Sequence, residues 1–228
     1  MWARVHKIDR IRPQPDGRAI VLIEDERSAT AMSRAPAIST LIAIARVINA
    51  RRVLEARYGG KGEVRYASAA ATPPSFLAEA VARAGASIAS ANGETIVIPA
   101  SPSGVSSVVD SAFAELAHQT RTNVGATDMM MAIHKVETNR RKSPLDRETQ
   151  PALYWPAVLE LTALAGELSR SRGGRWVDTT EMPVPFAIKF PGGELATPAK
   201  LAQRIVEGGG DDETLAKPEP SEPGSGPS

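Results

Sequence analysis

The stretch Gly166–Asp178, GELSRSRGGRWVD, decides how the carboxy-terminal half of the chain folds. Gly173-Gly174 predicts the end of a helix, because glycine accepts the positive φ of a helix terminus without strain. Arg175-Trp176-Val177 then predicts a strand, and Trp176 has the size to anchor that strand against the preceding helix. Packing alone accounts for this stretch, so it predicts a fold and no chemistry.

The residues on either side of this stretch predict a helix-strand-strand-helix unit. Apolar side chains recur at helical spacing before it: Leu153, Trp155, Val158, Leu161, Leu164 and Leu168. We expect Pro156 in the first turn of that helix, where its missing N–H costs nothing. After it, residues 185–190 predict a further strand, turned by 191–193, and residues 198–206 predict a closing helix.

The first hundred residues predict a β-hairpin followed by alternating helices and strands. A β-prone run ending at Ile11, a turn over 13–17 and the run AIVLIE predict the hairpin. The other predicted elements are a helix from Pro36 to Gly59-Gly60, a strand over 63–67, a helix from Thr72 to Gly85 and a strand over 95–100. This alternation is typical of a sheet covered by helices.

The middle of the chain predicts helices, which makes the fold class α/β (α+β). Two apolar stripes carry this prediction, one over 105–116 and one through Met129, Ile133 and Val136, with a polar loop over 138–149. We divide the chain into an α/β module (1–100) and a helical plus small-sheet module (101–208). The sequence allows these two modules to be separate domains or parts of one continuous domain. Residues 209–228, rich in Gly, Pro, Ser and acidic residues, predict a disordered tail.

Composition excludes several classes of protein. Without cysteine the chain forms neither a disulfide framework nor a thiolate metal site. A net charge of +1 gives no strong field toward nucleic acid or anionic lipid. The amino terminus has no signal-peptide pattern, and the most apolar run, 38–50, is too short for a membrane span. We therefore expect a cytoplasmic protein, and the Ala and Arg content is typical of a GC-rich bacterial genome.

Two E-x-x-H-like pairs raise the question of a metal site. Glu115 and His118, and His134 and Glu137, have the spacing that carboxylate-bridged di-metal bundles use. On a helical wheel, however, His118 and His134 point about 150° and 135° away from the apolar stripes of their helices. We interpret these residues as solvated helix faces and expect no metal and no cofactor.

A serine-rich segment before the first middle helix is a candidate anion site. It contains Ser101, Ser103, Gly104 and Ser106, whose backbone N–H groups can face an anion at a helix start. The segment lacks the lysine of a P-loop and the G-x-S-x-G of a nucleophile elbow. Serines that only cap the helix give the same pattern. A deep pocket at this terminus containing Arg or His would favour an enzyme acting on an anionic or phosphorylated substrate.

Basic residues in the first half suggest weak nucleic-acid binding as a second alternative. They are Arg46, Arg51, Arg52, Arg57, Lys61 and Arg65. Single-stranded nucleic acid needs these charges on one side, with aromatic rings for base stacking. Only Tyr58 and Tyr66 are near, and the arginines diverge around their helix, so this alternative is the less favoured.

The favoured hypothesis is a non-enzymatic binding protein, such as an adaptor, a chaperone-like protein or an immunity-type protein, with an unidentified protein partner. No motif pairs a nucleophile with a base, so we assign no catalytic residues. Met129, Met130 and Met131 occupy three faces of a helix, which leaves one of them exposed. Met130, Arg140 and Arg141 are therefore the candidate interface residues.

The segment 150–208 resembles the carboxy-terminal part of several uncharacterised bacterial families. The resemblance rests on LTALAGELSRSRGGRWVD and FAIKFPGGELATPAKLAQRIVEG, in which a helix leads to GGRW, an apolar strand and a closing helix. Such domains look like small cytoplasmic α+β modules, some encoded near secretion and toxin-immunity genes. The resemblance implies no catalytic residues for this chain.

Overall fold

The computed structural model describes residues 10–24, 36–68, 70, 75–96, 105–179 and 184–209. It confirms the predicted α+β class, with six helices and two sheets in the described residues. Apart from Gly209, the predicted tail lies outside the described residues. None of the described helices is both long and apolar enough to cross a lipid bilayer.

The first sheet has five strands in the order β1-β2-β3-β4-β5. They are β1 (Arg10–Pro13), β2 (Ala19–Glu24), β3 (Gly62–Ala67), β4 (Ser87–Ala89) and β5 (Thr95–Ile96). The hairpin pairs β1 with β2 in antiparallel register, whereas β2, β3 and β4 are parallel neighbours. Parallel pairing requires crossover connections, which α1 (Pro36–Tyr58) and α2 (Ser75–Arg83) supply.

Helix α1 joins the first sheet to the rest of the molecule. It packs against β2 and β3, and also against α2 and the first middle helix. Its buried residues therefore cover most of its circumference between Ala37 and Ala50. A helix that is apolar all round is typical of a core position.

Three helices form the middle: α3 (Val105–Asn123), α4 (Met129–Lys142) and α5 (Pro151–Arg170). The predicted loop over 138–149 is wrong at its start, because α4 continues to Lys142 and Arg141 pairs one turn back with Glu137. The placement of Pro156 in the first turn is also wrong. Pro151 occupies the helix start, so Pro156 lies in the second turn.

The predicted helix-strand-strand-helix unit is confirmed after α5. It contains β6 (Arg175–Asp178), β7 (Phe186–Lys189), the two-residue strand β8 (Leu195–Ala196) and α6 (Pro198–Val206). The three strands form a second, antiparallel sheet in the order β6-β7-β8. In the described residues β6 is therefore an edge strand.

Trp176 fixes β6 against the helices, as the sequence predicts. Its ring is 2% exposed and stacks on Phe113 of α3, with centroids 3.9 Å apart and planes at 12°. Phe186 also contacts Phe113, edge to face, with ring centroids 5.3 Å apart. The indole Nε1 donates to Glu167 Oε1 at 3.0 Å, so both the apolar body and the polar edge of Trp176 are satisfied.

Gly166 makes this packing possible. A Cβ at that position of α5 would lie 2.1 Å from two ring atoms of Trp176, which is far inside van der Waals contact. Glycine usually weakens a helix interior relative to alanine. Here the close approach of the ring to the helix backbone requires it.

We therefore expect Gly166→Ala to lower the free energy of unfolding by about 1–3 kcal/mol, the usual cost of overpacking, despite the better helix propensity of alanine. Urea denaturation followed by tryptophan fluorescence measures this difference. Gly192→Ala is the control, because its Cβ would meet nothing within 4 Å. An unchanged stability for Gly166→Ala would contradict the packing described here.

Candidate functional site

A groove of about 330 Å³ lies between the amino-terminal half of α3 and strand β6. Helix α3 contributes Val105, Ser106, Val109 and Asp110, and the second sheet contributes Arg175, Trp176, Val177, Asp178 and Phe186. We call it the α3–β6 groove. Its volume falls within the range of known ligand sites.

The groove lies beside β6, and all four residues of that strand line it. In the described part of the chain, β6 pairs with β7 alone, so its second edge has no neighbouring strand there.

The backbone of β6 presents unused hydrogen-bonding groups to this edge. Thr179 N–H donates to the Pro185 carbonyl at 3.0 Å, so Thr179 and Pro185 are a hydrogen-bonded pair. In an antiparallel ladder every second residue along a strand belongs to such a pair. Val177 and Arg175 therefore bond to β7, and the N–H and C=O groups of Trp176 and Asp178 point away from it. No described backbone group outside the strands bonds to those of Trp176 or Asp178.

Asp110 is a partly buried charge in the groove. Its Oδ1 is inaccessible to solvent and has no hydrogen-bond partner among the described residues. Burial raises the pKa of Asp110 above its ordinary value, and the positive charge of Arg170 offsets part of that rise. Arg170 forms its ion pair at 3.0 Å with Glu167 rather than with Asp110.

Asp178, at the end of β6, has a cation beside it. Arg52 Nη2 of α1 lies 3.9 Å from Asp178 Oδ2. Burial lowers the pKa of Arg52, and Asp178 opposes that shift. The other terminal nitrogen, Arg52 Nη1, is buried without a hydrogen-bond partner in the described residues.

The candidate anion site falls partly on this groove. Ser106 lines it and is exposed, whereas Ser101, Ser103 and Gly104 lie outside the described residues. A groove containing Arg175 lies at the start of α3, which meets the expected composition of an anion site in part; the sequence-based condition asked for a deep pocket.

The candidate interface residues do not form one surface patch around Met130. Met130 and Met131 are 40% and 47% exposed, so two of the three methionines are exposed rather than one. Arg140 and Arg141 lie at the opposite end of α4. Arg141 donates to Glu137 at 2.6 Å. Burial raises the pKa of Glu160, and the positive charge of Arg140 offsets part of that rise. The interface stays a prediction.

The interpretation of the histidine-glutamate pairs is right for three residues and wrong for Glu137. Glu115, His118 and His134 are exposed, but Glu137 is only 8% exposed. The predicted stripe ran through Met129, Ile133 and Val136; Ile133 is buried, but Met129 and Val136 are only partly buried, and the other buried residues of α4 are Ala132 and Glu137. The described residues contain no group of three potential metal ligands from His, Cys, Asp and Glu.

Several of the basic residues proposed for nucleic acid have intramolecular partners. Arg51 donates to the Ala84 carbonyl at 3.2 Å, Arg52 pairs with Asp178, and Arg65 pairs with Glu63 of the same strand. These contacts account for the charges of Arg51, Arg52 and Arg65 without a ligand.

Sequence reasoning missed Asp110, Arg175 and Asp178 as site residues. The one available signal was Asp110, a charge placed directly beside the apolar residue Val109 early in α3.

Comparison of the chain with protein-family models, with curated proteins and with solved structures found no match in any of the three.

We expect Asp110→Asn to raise the free energy of unfolding at pH 7. A carboxyl whose pKa is raised by folding lowers stability as pH rises through that pKa, because the unfolded state ionises more easily. The gain should shrink as pH falls through the raised pKa and vanish below about 4, where the unfolded carboxyl also becomes protonated. Urea denaturation at both pH values measures it, with Glu115→Gln on the exposed side of α3 as the control. A loss of stability at pH 7 would show that Asp110 has a compensating partner.

Proposed function

We propose that this chain is a non-enzymatic binding protein that accepts an extended peptide in the α3–β6 groove. The observation that carries the proposal is the pair of outward-facing backbone positions, Trp176 and Asp178, on an edge strand beside a cavity. An extended peptide adds to such an edge as a new strand, with main-chain hydrogen bonds giving affinity and neighbouring pockets giving specificity.

The two walls of the groove suit this mode of binding. Strand β6 offers the N–H and C=O groups of the exposed residue Asp178 to a peptide segment, whereas Trp176, the other outward-facing position, is only 2% exposed. Val105 and Val109 of α3 line the opposite wall and provide apolar contact for peptide side chains. Trp176 holds β6 rigidly against α3 through its stack on Phe113, so the width of the groove is set before binding.

The chemistry of the lining favours binding over catalysis. The described lining residues include no histidine, lysine or cysteine, so Ser106 has no neutral base beside it in the groove. We propose a cytoplasmic bacterial adaptor, chaperone-like or immunity-type role, which the composition and the resemblance of 150–208 support.

A second candidate function is binding of an anionic small molecule. It is favoured by Arg175 and Ser106 at the start of α3, where backbone N–H groups attract anions. Asp110 and Asp178 in the same groove repel an anion, which makes this the weaker candidate. Titration of the full chain with inorganic phosphate, followed by the amide resonance of Ser106, tests it.

We expect Asp178→Pro to weaken peptide binding and leave the fold intact. Proline removes the Asp178 N–H, which points to the free edge, and takes no bond from the β6–β7 ladder. Peptides are first selected from a 12-residue phage-displayed library on the full wild-type chain. Calorimetry should then show about a tenfold loss of affinity for Asp178→Pro, corresponding to one lost hydrogen bond.

Asp178→Ala is the matched control, because it removes the same carboxylate and its pairing with Arg52 but keeps the N–H. It should bind more tightly than Asp178→Pro and unfold at a similar denaturant concentration. In the free protein the Asp178 amide should exchange with deuterium faster than that of Val177, and bound peptide should slow it. Equal binding by the proline and alanine variants, or selection of no peptide at all, would overturn the proposal.

A further inference from the structure

We infer that the α3–β6 groove selects peptides carrying a lysine or arginine, whose cation binds the carboxylate of Asp110. This inference rests on the proposed function, because it names the chemistry of the peptide that the same groove accepts. It assigns to Asp110 the role of the specificity-determining residue.

The first observation is that Asp110 lines the groove with an incompletely satisfied carboxylate. Its Oδ1 is closed to solvent and lacks a hydrogen-bond partner in the described residues, although the residue lines the cavity. A buried acceptor without a partner costs free energy, and in native proteins such a group calls for an explanation. A cation that approaches the same carboxylate from the groove offsets part of that cost without bonding to Oδ1.

The second observation is that the two groove carboxylates are unequally compensated. Asp178 has Arg52 at 3.9 Å, whereas Arg170, the cation that acts on Asp110, forms its ion pair with Glu167 at 3.0 Å. Arg175 also lines the groove, but no ion pair joins it to Asp110 among the described contacts. The negative charge of Asp110 is therefore the one that a ligand can complement.

The chemistry of the carboxylate favours a cation over a neutral donor. A charge-assisted hydrogen bond is roughly twice as strong as a neutral one, and removal of water from the groove by a docked peptide strengthens it further. The long apolar stems of lysine and arginine also fit a wall built from Val105 and Val109.

A residue kept only for stability would not have these properties. Desolvation raises the pKa of Asp110, so its charge opposes folding at neutral pH. Groups held at a cost to the free protein are concentrated at functional sites. The position of Asp110, lining the groove opposite the edge of β6, makes peptide recognition the use that the geometry supplies.

The experiment compares peptide selection on the wild-type full chain and on Asp110→Asn, which keeps the size of the side chain and removes its charge. Wild-type selection should enrich peptides with Lys or Arg at one fixed position, and Asp110→Asn selection should lose that enrichment. A wild-type-selected peptide should bind Asp110→Asn about 10- to 100-fold more weakly, the loss expected for one charged hydrogen bond.

A double-mutant cycle separates recognition from a general effect on the fold. The basic residue of the selected peptide is replaced by norleucine, and both peptides are measured on both proteins. We expect the norleucine peptide to bind the two proteins equally, and Glu115→Gln to bind the basic peptide as the wild type does. Additive losses in this cycle would overturn the pairing with Asp110.

The remaining outcomes distinguish this inference from the proposed function. Peptides that depend on the Asp178 N–H but lack a fixed basic residue would overturn the inference and leave the function standing. If no peptide is selected, the full chain is titrated with n-butylguanidinium at millimolar concentration. A saturating shift of the Val109 and Asp110 amide resonances, lost in Asp110→Asn, would support the cation site alone; no shift would overturn it.

Discussion

The packing of Trp176 is the interaction on which the carboxy-terminal half of the structure depends. One indole ring touches the backbone of α5 at Gly166, stacks on Phe113 of α3 and donates its N–H to Glu167. It thereby fixes the start of β6 relative to two helices at once. The distance between β6 and α3, and with it the width of the groove, follows from this single buried contact.

The same arrangement leaves the strand edge and several polar groups unsatisfied. Natural proteins usually protect edge strands, because exposed N–H and C=O groups recruit other strands. Here the edge strand β6 lines a cavity together with Asp110, and Arg52 approaches that cavity through Asp178. Unused backbone, a carboxylate without an ion pair among the described contacts and a preset cavity in one place are the features of a recognition site, which is why the groove carries the functional proposal.

Local pattern predicted the elements well and the site poorly. The hairpin, α1 and the Gly173-Gly174 stop follow from turn chemistry and helical periodicity, which act over a few residues. Strand β4 is three residues long and was missed, and α4 was cut short because its last turn is polar. Glu137 and the groove depend on contacts between elements distant in sequence, which periodicity does not contain. Trp176 was recognised as an anchor, but the free edge that it positions is visible only once β6 is seen to pair with β7 alone.

The most direct test of the account is a crystal structure of the full chain bound to the tightest peptide that it selects. The account predicts an extended peptide paired with β6 as a fourth strand of the second sheet, bonded to the N–H and C=O groups of Trp176 and Asp178. It also predicts a lysine or arginine of that peptide on Asp110. A peptide bound elsewhere, or bound as a helix with the edge of β6 still open, would contradict it.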